Sequence, residues 1–180
     1  MRIISGKHKG RVLIAPQKGT CPTSDRAKEM LFDMLSSLLM KGGKRWEDLK
    51  FVDVFSGSGA VGLEAVSRGC KSVYLFENNL EAQKIIRQNG KGMIFELFGD
   101  ALKPTSSETS VDILFMDPPY GKGLAEQTLP QFLKQGWVNK NTLIIIEEDK
   151  ANTVEIPLGF ILQEKRSAGR NTFYFLKKGD

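Results

Sequence analysis

The chain has 180 residues, of which 41% are apolar, and its net charge is +5. This length and composition are those of one globular domain with a sizeable core and leave no need for a second domain. No apolar run reaches the roughly 18 residues of a membrane span, and the N-terminus lacks the apolar stretch of a signal peptide, so we expect a cytoplasmic protein without membrane contact. The two cysteines, Cys21 and Cys70, form no C-x-x-C pair, which argues against a metal site and a disulfide framework.

A basic arm opens the chain. Its first 20 residues contain five basic side chains and no acidic one. Alternating apolar residues, with Gly6 and Gly10 near the turn, predict a short hairpin within an arm that spans residues 1–22. A basic hairpin suits a phosphate backbone, so we expect nucleic-acid contacts from four of its side chains: Arg2, Lys7, Lys9 and Arg11. A solvated basic tail is the alternative interpretation of the same charges.

A helix is expected after the arm. Thr23 or Ser24 can cap its N-terminus, and Gly42 with Gly43 ends it. Seven apolar residues at spacings of three and four predict that one face packs on the core: Ala27, Met30, Leu31, Met34, Leu35, Leu38 and Leu39.

A glycine-rich stretch follows, FVDVFSGSGAVGLEAV, which predicts a strand, a tight loop and a helix. Gly57 and Gly59 can adopt backbone angles that other residues avoid, and Gly62 allows the helix to pack closely on its strand. The spacing is typical of a loop that binds a nucleotide-like cofactor, although a G-x-G-x-x-G pattern by itself also occurs in ordinary turns.

Two carboxylates favour one cofactor over another. Glu77 follows a second predicted strand, at 72–76, and lies 20 residues after Gly57, a spacing that suits a carboxylate on ribose hydroxyls. Asp53 lies inside the first strand, where a buried carboxylate is costly unless it faces a cationic or hydrogen-bonding ligand. A nicotinamide dinucleotide would bring a pyrophosphate that this carboxylate repels, whereas S-adenosylmethionine has no phosphate and carries cationic groups. We therefore favour S-adenosylmethionine.

Asp100 is a third carboxylate at the end of a strand. Residues 80–88 predict a helix and residues 93–98 a third strand, which ends just before it. Ligands of open parallel sheets bind outside the carboxyl ends of the strands, so Asp53, Glu77 and Asp100 should converge there.

The fourth strand, predicted over 111–116, runs directly into Asp117, Pro118, Pro119 and Tyr120. The two prolines fix the backbone and remove two N–H donors, which leaves carbonyls and the Asp117 carboxylate as acceptors beside an aromatic ring. Such a site fits a planar nitrogen that bears hydrogens, such as the exocyclic amine of a base, and Tyr120 can stack on that base. A rigid turn would explain the prolines but not the aspartate and the tyrosine.

The remaining elements complete an α/β fold. We predict a helix over 124–134, disturbed by Pro130, and strands over 142–147, 160–163 and 172–176, the last two antiparallel. With the four earlier strands they give a single doubly wound, mostly parallel sheet of seven strands, to which the N-terminal hairpin is added.

The glycine-rich stretch, Glu77, Asp100 and the DPPY motif together resemble the class I S-adenosylmethionine-dependent methyltransferases that modify exocyclic amines. A narrower similarity, to the bacterial 16S rRNA (guanine-N2)-methyltransferase family, runs almost end to end and rests on MRIISGKHKGRVL, PTSDRAKEMLF, LEAVSRG and QEKRSAGRNTFYFLKK. It implies transfer of a methyl group from S-adenosylmethionine to the N2 amine of a guanine in small-subunit ribosomal RNA, without a metal. The RNA or the small ribosomal subunit would be the partner, and we expect a monomer whose methyltransferase domain spans residues 23–180.

The resemblance also implies roles for single residues. The DPPY motif would hold the guanine through Asp117, Pro118, Pro119 and Tyr120. Nine residues would bind the cofactor: Thr23 and Arg26 at its carboxylate, Asp53, Phe55, Gly57 and Gly59 at its methionine part, Glu77 at the ribose, and Asp100 with the Ala101 backbone at the adenine. Two alternatives stay open, a DNA adenine-N6 methyltransferase and an RNA-binding module with a vestigial cofactor pocket.

Overall fold

The computed structural model describes residues 1–15 and 25–179. Within them, seven strands form one sheet and four α-helices pack against it. The strands are β1 (Lys50–Val54), β2 (Ser72–Phe76), β3 (Glu96–Phe98), β4 (Ile113–Met116), β5 (Leu143–Asp149), β6 (Phe160–Ala168) and β7 (Asn171–Lys178). The helices are α1 (Asp25–Lys41), α2 (Ala60–Ser67), α3 (Leu80–Asn89) and α4 (Leu124–Lys134).

The strand order is β3-β2-β1-β4-β5-β7-β6. Strands β1 to β5 are parallel, and β7 runs antiparallel between β5 and β6. The predicted single, mostly parallel sheet of seven strands is therefore confirmed. The strand order reverses between β1 and β4, and such a reversal is where open α/β sheets bind their ligands.

Both faces of the sheet are covered by apolar side chains. One cluster packs α4 against the sheet, and the other packs α1 and α2 on the opposite face. The predicted stripe of α1 supplies Ala27, Leu31 and Leu35 to that second cluster, whereas Leu38 is exposed. No helix within the described residues is long and apolar enough to span a bilayer.

Three predicted elements differ from the structure. Strand β6, predicted to end at residue 163, continues to Ala168 because it stays paired with β7 to that point. The third strand begins at Glu96 instead of residue 93, because a turn in which Met93 N donates to Gly90 O at 2.9 Å precedes it. Helix α4 continues through Pro130, which was expected to disturb it. Pro130 is exposed, so water can hydrate the carbonyl that loses its N–H partner.

Residues 1–15 pack on the body of the protein, with Ile3 and Leu13 buried. They fold back on themselves through antiparallel backbone bonds, among them Ile3 N to Arg11 O at 2.9 Å and Gly10 N to Ile3 O at 2.9 Å. We call residues 1–15 the N-terminal segment. Its apolar side contacts α2, so the segment contributes to the core and also carries four of the five basic side chains of the predicted arm.

Glu64, fully buried on α2, fixes the N-terminal segment. Its Oε2 accepts a hydrogen bond from Ile4 N at 2.7 Å, and its Oε1 accepts one from Ser5 N at 3.0 Å. The same carboxylate forms ion pairs with Lys28 at 3.7 Å and Arg68 at 2.9 Å. A buried carboxylate is tolerated only with such compensation, and this one joins the segment, α1 and α2.

Asn89, at the end of α3, holds the other end of the segment. Its Nδ2 donates to Ile14 O and to Ser58 O, each at 3.0 Å, and its Oδ1 accepts a bond from Ile14 N at 2.8 Å. Ser58 belongs to the glycine-rich loop between β1 and α2. One buried amide therefore connects the N-terminal segment to that loop.

Candidate active site

The glycine-rich loop has the unusual backbone angles that its sequence predicts. Gly57 and Gly59 have φ angles of 55° and 77°, and Phe55 has a φ of 62°. A positive φ at a residue with a side chain costs roughly 1 to 3 kcal/mol, so the surroundings must impose it. Here Ser56 N donates to Phe76 O at 3.0 Å and Ser56 Oγ donates to the Asp53 carbonyl at 2.7 Å. These bonds fix the loop in shape before any ligand arrives.

The three glycines have different surroundings. A Cβ atom at Gly57 would meet nothing within 4 Å, so this backbone is open to the cleft described below. A Cβ atom at Gly59 would lie 3.3 Å from Ile86, and one at Gly62 would lie 3.0 Å from Leu75. Gly62 therefore allows α2 to approach its neighbours closely, as predicted, while Gly57 allows a ligand to approach the main chain.

Glu77 joins the end of β2 to the glycine-rich loop. Its Oε2 accepts a hydrogen bond from Gly57 N at 2.8 Å, and its Oε1 accepts one from Asn79 N at 2.8 Å. A carboxylate offers roughly four acceptor positions, so these two bonds leave capacity for hydroxyl donors. Glu77 is half-buried and lines the cleft.

Asp53 is buried within β1 and does not line the cleft. Its Oδ2 accepts a hydrogen bond from Gly62 N at 2.8 Å. The sequence suggested that a ligand would be the partner of this carboxylate, but in the structure the partner is a backbone amide of α2. Burial raises the pKa of this carboxyl to about 7, against the effect of the Gly62 bond, and the charges of Glu77 and Glu147 add to the rise. Asp53 therefore fastens α2 to β1, and its predicted contact with a cofactor stays a prediction.

Asp100 comes two residues after β3 and lines the cleft. Its Oδ1 accepts a hydrogen bond from Leu102 N at 2.9 Å, which closes a short turn. The next residue, Ala101, is buried in the core cluster on the α4 face. Asp100 and Glu77 thus lie at the ends of neighbouring parallel strands, as predicted.

The DPPY motif forms the other side of the cleft. Asp117 N donates to Val54 O at 3.3 Å, which aligns the motif with the end of β1. The cleft is lined by all four of its residues, Asp117, Pro118, Pro119 and Tyr120. Burial raises the pKa of the Tyr120 hydroxyl, and the neighbouring carboxylates add to that rise, so the phenol stays neutral at physiological pH.

The cleft has a volume of about 390 Å³, within the range of small-molecule sites. The structure brings eight predicted residues together around it: Phe55, Gly57, Glu77, Asp100, Asp117, Pro118, Pro119 and Tyr120. Sequence reasoning missed four others, Asn78, Leu102, Lys122 and Leu124. The only feature of the sequence that could have indicated them is that each lies within four residues of a predicted site residue. Within the described residues no group of histidines, cysteines and acids is arranged to hold a metal ion.

The remaining predicted residues that the structure describes do not line this cleft. Arg26 is exposed in the first turn of α1, and Thr23 lies outside the described residues. Arg11 is half-buried, and its Nη1 donates to the carbonyls of Asn89 at 3.2 Å and Lys91 at 2.8 Å.

The other three predicted RNA ligands, Arg2, Lys7 and Lys9, are exposed. Arg2 lies 4.0 Å from an oxygen of Asp25. The RNA contacts of all four basic residues stay predictions, with Lys7 and Lys9 presented most openly.

Known proteins are similar to this chain over almost its whole length. The family model described as conserved hypothetical protein 95 matches residues 1–177. The ribosomal RNA small subunit methyltransferase D of Escherichia coli (strain K12) is 32% identical, and the match covers 94% of this chain and 86% of that protein. The protein of the same name from Haemophilus influenzae is 31% identical and is covered over 89% of its length, again with 94% of this chain.

A solved structure has the same fold as this chain. The yhhF protein of Escherichia coli superposes with a TM-score of 0.80 at 27% identity, covering 99% of this chain and 98% of that chain.

Proposed function

The chain belongs to the family described as conserved hypothetical protein 95, and on that premise we propose that it transfers a methyl group from S-adenosylmethionine to the exocyclic N2 amine of a guanine in 16S ribosomal RNA. The observation that carries the proposal is a single cleft with two chemically different sides. The glycine-rich loop, Glu77 and Asp100 form one side, and Asp117 to Tyr120 form the other. The curated relatives named as ribosomal RNA small subunit methyltransferases support RNA as the substrate.

The first side fits S-adenosylmethionine by shape and charge. The open backbone of Gly57 leaves room for the methionine part, and Phe55 borders the same space. Glu77 would accept hydrogens from the ribose hydroxyls, and Asp100 would accept from the adenine amine. When bound, the cofactor supplies a methyl group on a cationic sulfonium, and the carboxylates of this side favour such a cation over a phosphate anion.

Further contacts to the cofactor are part of the same proposal. The Ala101 backbone would contact the adenine, while Thr23 and Arg26 would reach the cofactor carboxylate. Gly59 shapes the loop, and Asp53 acts through Gly62 by holding α2 in place.

The second side would hold the guanine for in-line transfer. Tyr120 stacks on the base, while the Asp117 carboxylate accepts a hydrogen from the N2 amine. This hydrogen bond strengthens as the nitrogen becomes tetrahedral and partly positive, so it favours the transition state over the ground state. Pro118 and Pro119 restrict the backbone around these two groups. The new N–C bond would form as the C–S bond of the cofactor breaks, and the amine proton held by the Asp117 carboxylate would pass to that carboxylate and then to water.

Transfer of a tritiated methyl group would test the proposal. Purified protein and labelled S-adenosylmethionine are incubated with one substrate in each of three parallel reactions. The substrates are isolated small ribosomal subunits, naked 16S RNA and DNA. We expect label in the RNA or the subunit, and mass spectrometry of the digested RNA should identify N2-methylguanosine. Label in DNA as N6-methyladenine would replace this proposal with a DNA methyltransferase. RNA binding without any label would indicate a vestigial cofactor pocket.

A further inference from the structure

Three loops meet beyond Tyr120, at the edge of the sheet that carries the cleft. Strand β4 is parallel to β5 and pairs with it, so the loops that follow these two strands lie at the same edge. Strand β7 is antiparallel to β5, with Asn171 opposite Asp149, which brings the β6–β7 turn to that edge as well. The loops after β4 and β5 and the β6–β7 turn are thus neighbours, although they are far apart in sequence.

Direct contacts join the three loops. Lys150 N, after β5, donates to Arg170 O in the β6–β7 turn at 2.7 Å. The loop after β4 approaches the loop after β5. A Cβ atom added to Gly121, in the first loop, would lie 4.0 Å from Nδ2 of Asn152, in the second. Burial raises the pKa of the Tyr120 hydroxyl, whereas the positive charge of Arg170 lowers it. The Arg170 guanidinium is therefore close enough to Tyr120 to act on it electrostatically.

Each loop carries one cation at this edge, namely Lys122, Lys150 and Arg170, and we call these three residues the basic rim. Lys122 lines the cleft two residues after Tyr120. Neither lysine forms an ion pair with another described residue. Arg170 pairs with Asp149 at 3.3 Å, but its side chain is 60% exposed, so the pair contributes little and a phosphate can replace the carboxylate.

Lys7 of the N-terminal segment lies at the end of α2 that is remote from the cleft. Lys7 N donates to Ser67 O at 2.7 Å, and Ser67 is the last residue of α2. The cleft lies at the start of α2, and a helix of eight residues is about 12 Å long. An RNA strand held by this segment alone would be anchored on one side of the target base.

We propose that the basic rim binds the RNA phosphates that flank the target base on the side opposite the N-terminal segment. The strand would then cross the cleft with a phosphate contact on either side, and Lys122 would hold the phosphate nearest the target base. This inference rests on the proposed function for the identity of the ligand. Its test requires only that RNA binds.

The experiment measures the salt dependence of binding to naked 16S RNA. Lys122→Ala, Lys150→Ala and Arg170→Ala are compared singly and together with wild type over a series of KCl concentrations. Lys140→Ala is the matched control, because Lys140 is exposed in the turn before β5, at the opposite edge of the sheet. Arg170→Lys tests whether charge restores binding, and thermal unfolding shows that each variant is folded.

We expect the triple variant to flatten the slope of log affinity against log salt by about two to three, since each phosphate contact contributes roughly 0.7 to 0.9. Arg170→Lys should retain the wild-type slope, and Lys140→Ala should leave it unchanged. A triple variant with the slope of Lys140→Ala would overturn the basic rim. The proposed function fails separately: a wild type that binds RNA but transfers no methyl group would refute catalysis, while the slopes would still report on the rim.

Discussion

Replacing Asp53 by asparagine should change how the stability of this protein depends on pH. The carboxyl is buried in β1, and burial raises its pKa to about 7 in the folded protein. In the unfolded chain an aspartate has a pKa of about 3.9. Between these two values the folded protein binds more protons than the unfolded chain, so the free energy of unfolding falls as the pH rises. Below the lower value both states are protonated, and above the upper value both are ionised, so the contribution is constant there.

The size of this effect follows from the difference between the two pKa values. One pKa unit corresponds to about 1.4 kcal/mol, and the rise to about 7 therefore removes on the order of 4 kcal/mol of stability between pH 4 and 7. Asparagine does not titrate, and its amide oxygen can still accept the hydrogen bond from Gly62 N. Relative to wild type, Asp53→Asn should therefore gain on the order of 4 kcal/mol across this range.

Urea unfolding of both proteins, at several values from about pH 4 to 8, measures this difference directly. Asp33→Asn is the matched control, because it makes the same chemical change on the exposed side of α1. The stability difference between Asp53→Asn and wild type should grow with pH and then level off above pH 7. A difference that stays constant over the whole range would show that the buried carboxyl does not hold a proton, and the reasoning would fail.

Other substitutions test the site and the N-terminal segment. Glu77→Ala should weaken S-adenosylmethionine binding by roughly 1 to 3 kcal/mol in calorimetry, because it removes charged hydrogen bonds and releases the Gly57 amide; tight binding of NADH to wild type would contradict the cofactor. Asp117→Ala should slow single-turnover methylation roughly a hundredfold with RNA affinity nearly unchanged, and a near wild-type rate would mean that another group holds the amine. Tyr120→Ala should weaken both binding and turnover, whereas Tyr120→Phe keeps the stacking ring and should have a mild effect in the same assay. Glu64→Gln should destabilise the fold by about 3 to 5 kcal/mol in urea unfolding, since two largely buried cations lose their counter-charge, and a loss near zero would show that these ion pairs do not matter.

The cleft could be predicted because its functional side chains follow directly after strands. Apolar runs mark where β1, β2 and β4 end, and parallel strands bring those ends to one edge. Glu77 and Asp117 follow directly after such runs, so their meeting in one cleft required only the sheet. Lys122 carries no such mark, since a lysine in a polar loop has the same sequence signature whether it faces a cleft or open solvent.

Long-range hydrogen bonds could not be predicted in the same way. The sequence shows that Asp53 lies in a strand, but the direction of its carboxylate depends on how α2 packs, and Gly62 supplies the partner. Arg11 was expected to bind RNA from its charge alone. In the structure its guanidinium contacts the Asn89 and Lys91 carbonyls, 78 and 80 residues further along the chain. Periodicity and charge describe neighbours in sequence, and these partners are neighbours only in the fold.

The anchoring of the N-terminal segment has a consequence for the order in which the protein folds. The partners of Ile4 and Ser5 lie 60 and 59 residues away, and that of Ile14 lies 75 residues away. During synthesis the segment leaves the ribosome before α2 and α3, so it has no partner until these helices have been made. Closing such long loops is slow, so we expect the segment to dock late. Since Asn89 ties it to the glycine-rich loop, that loop should gain its full rigidity only in this last step.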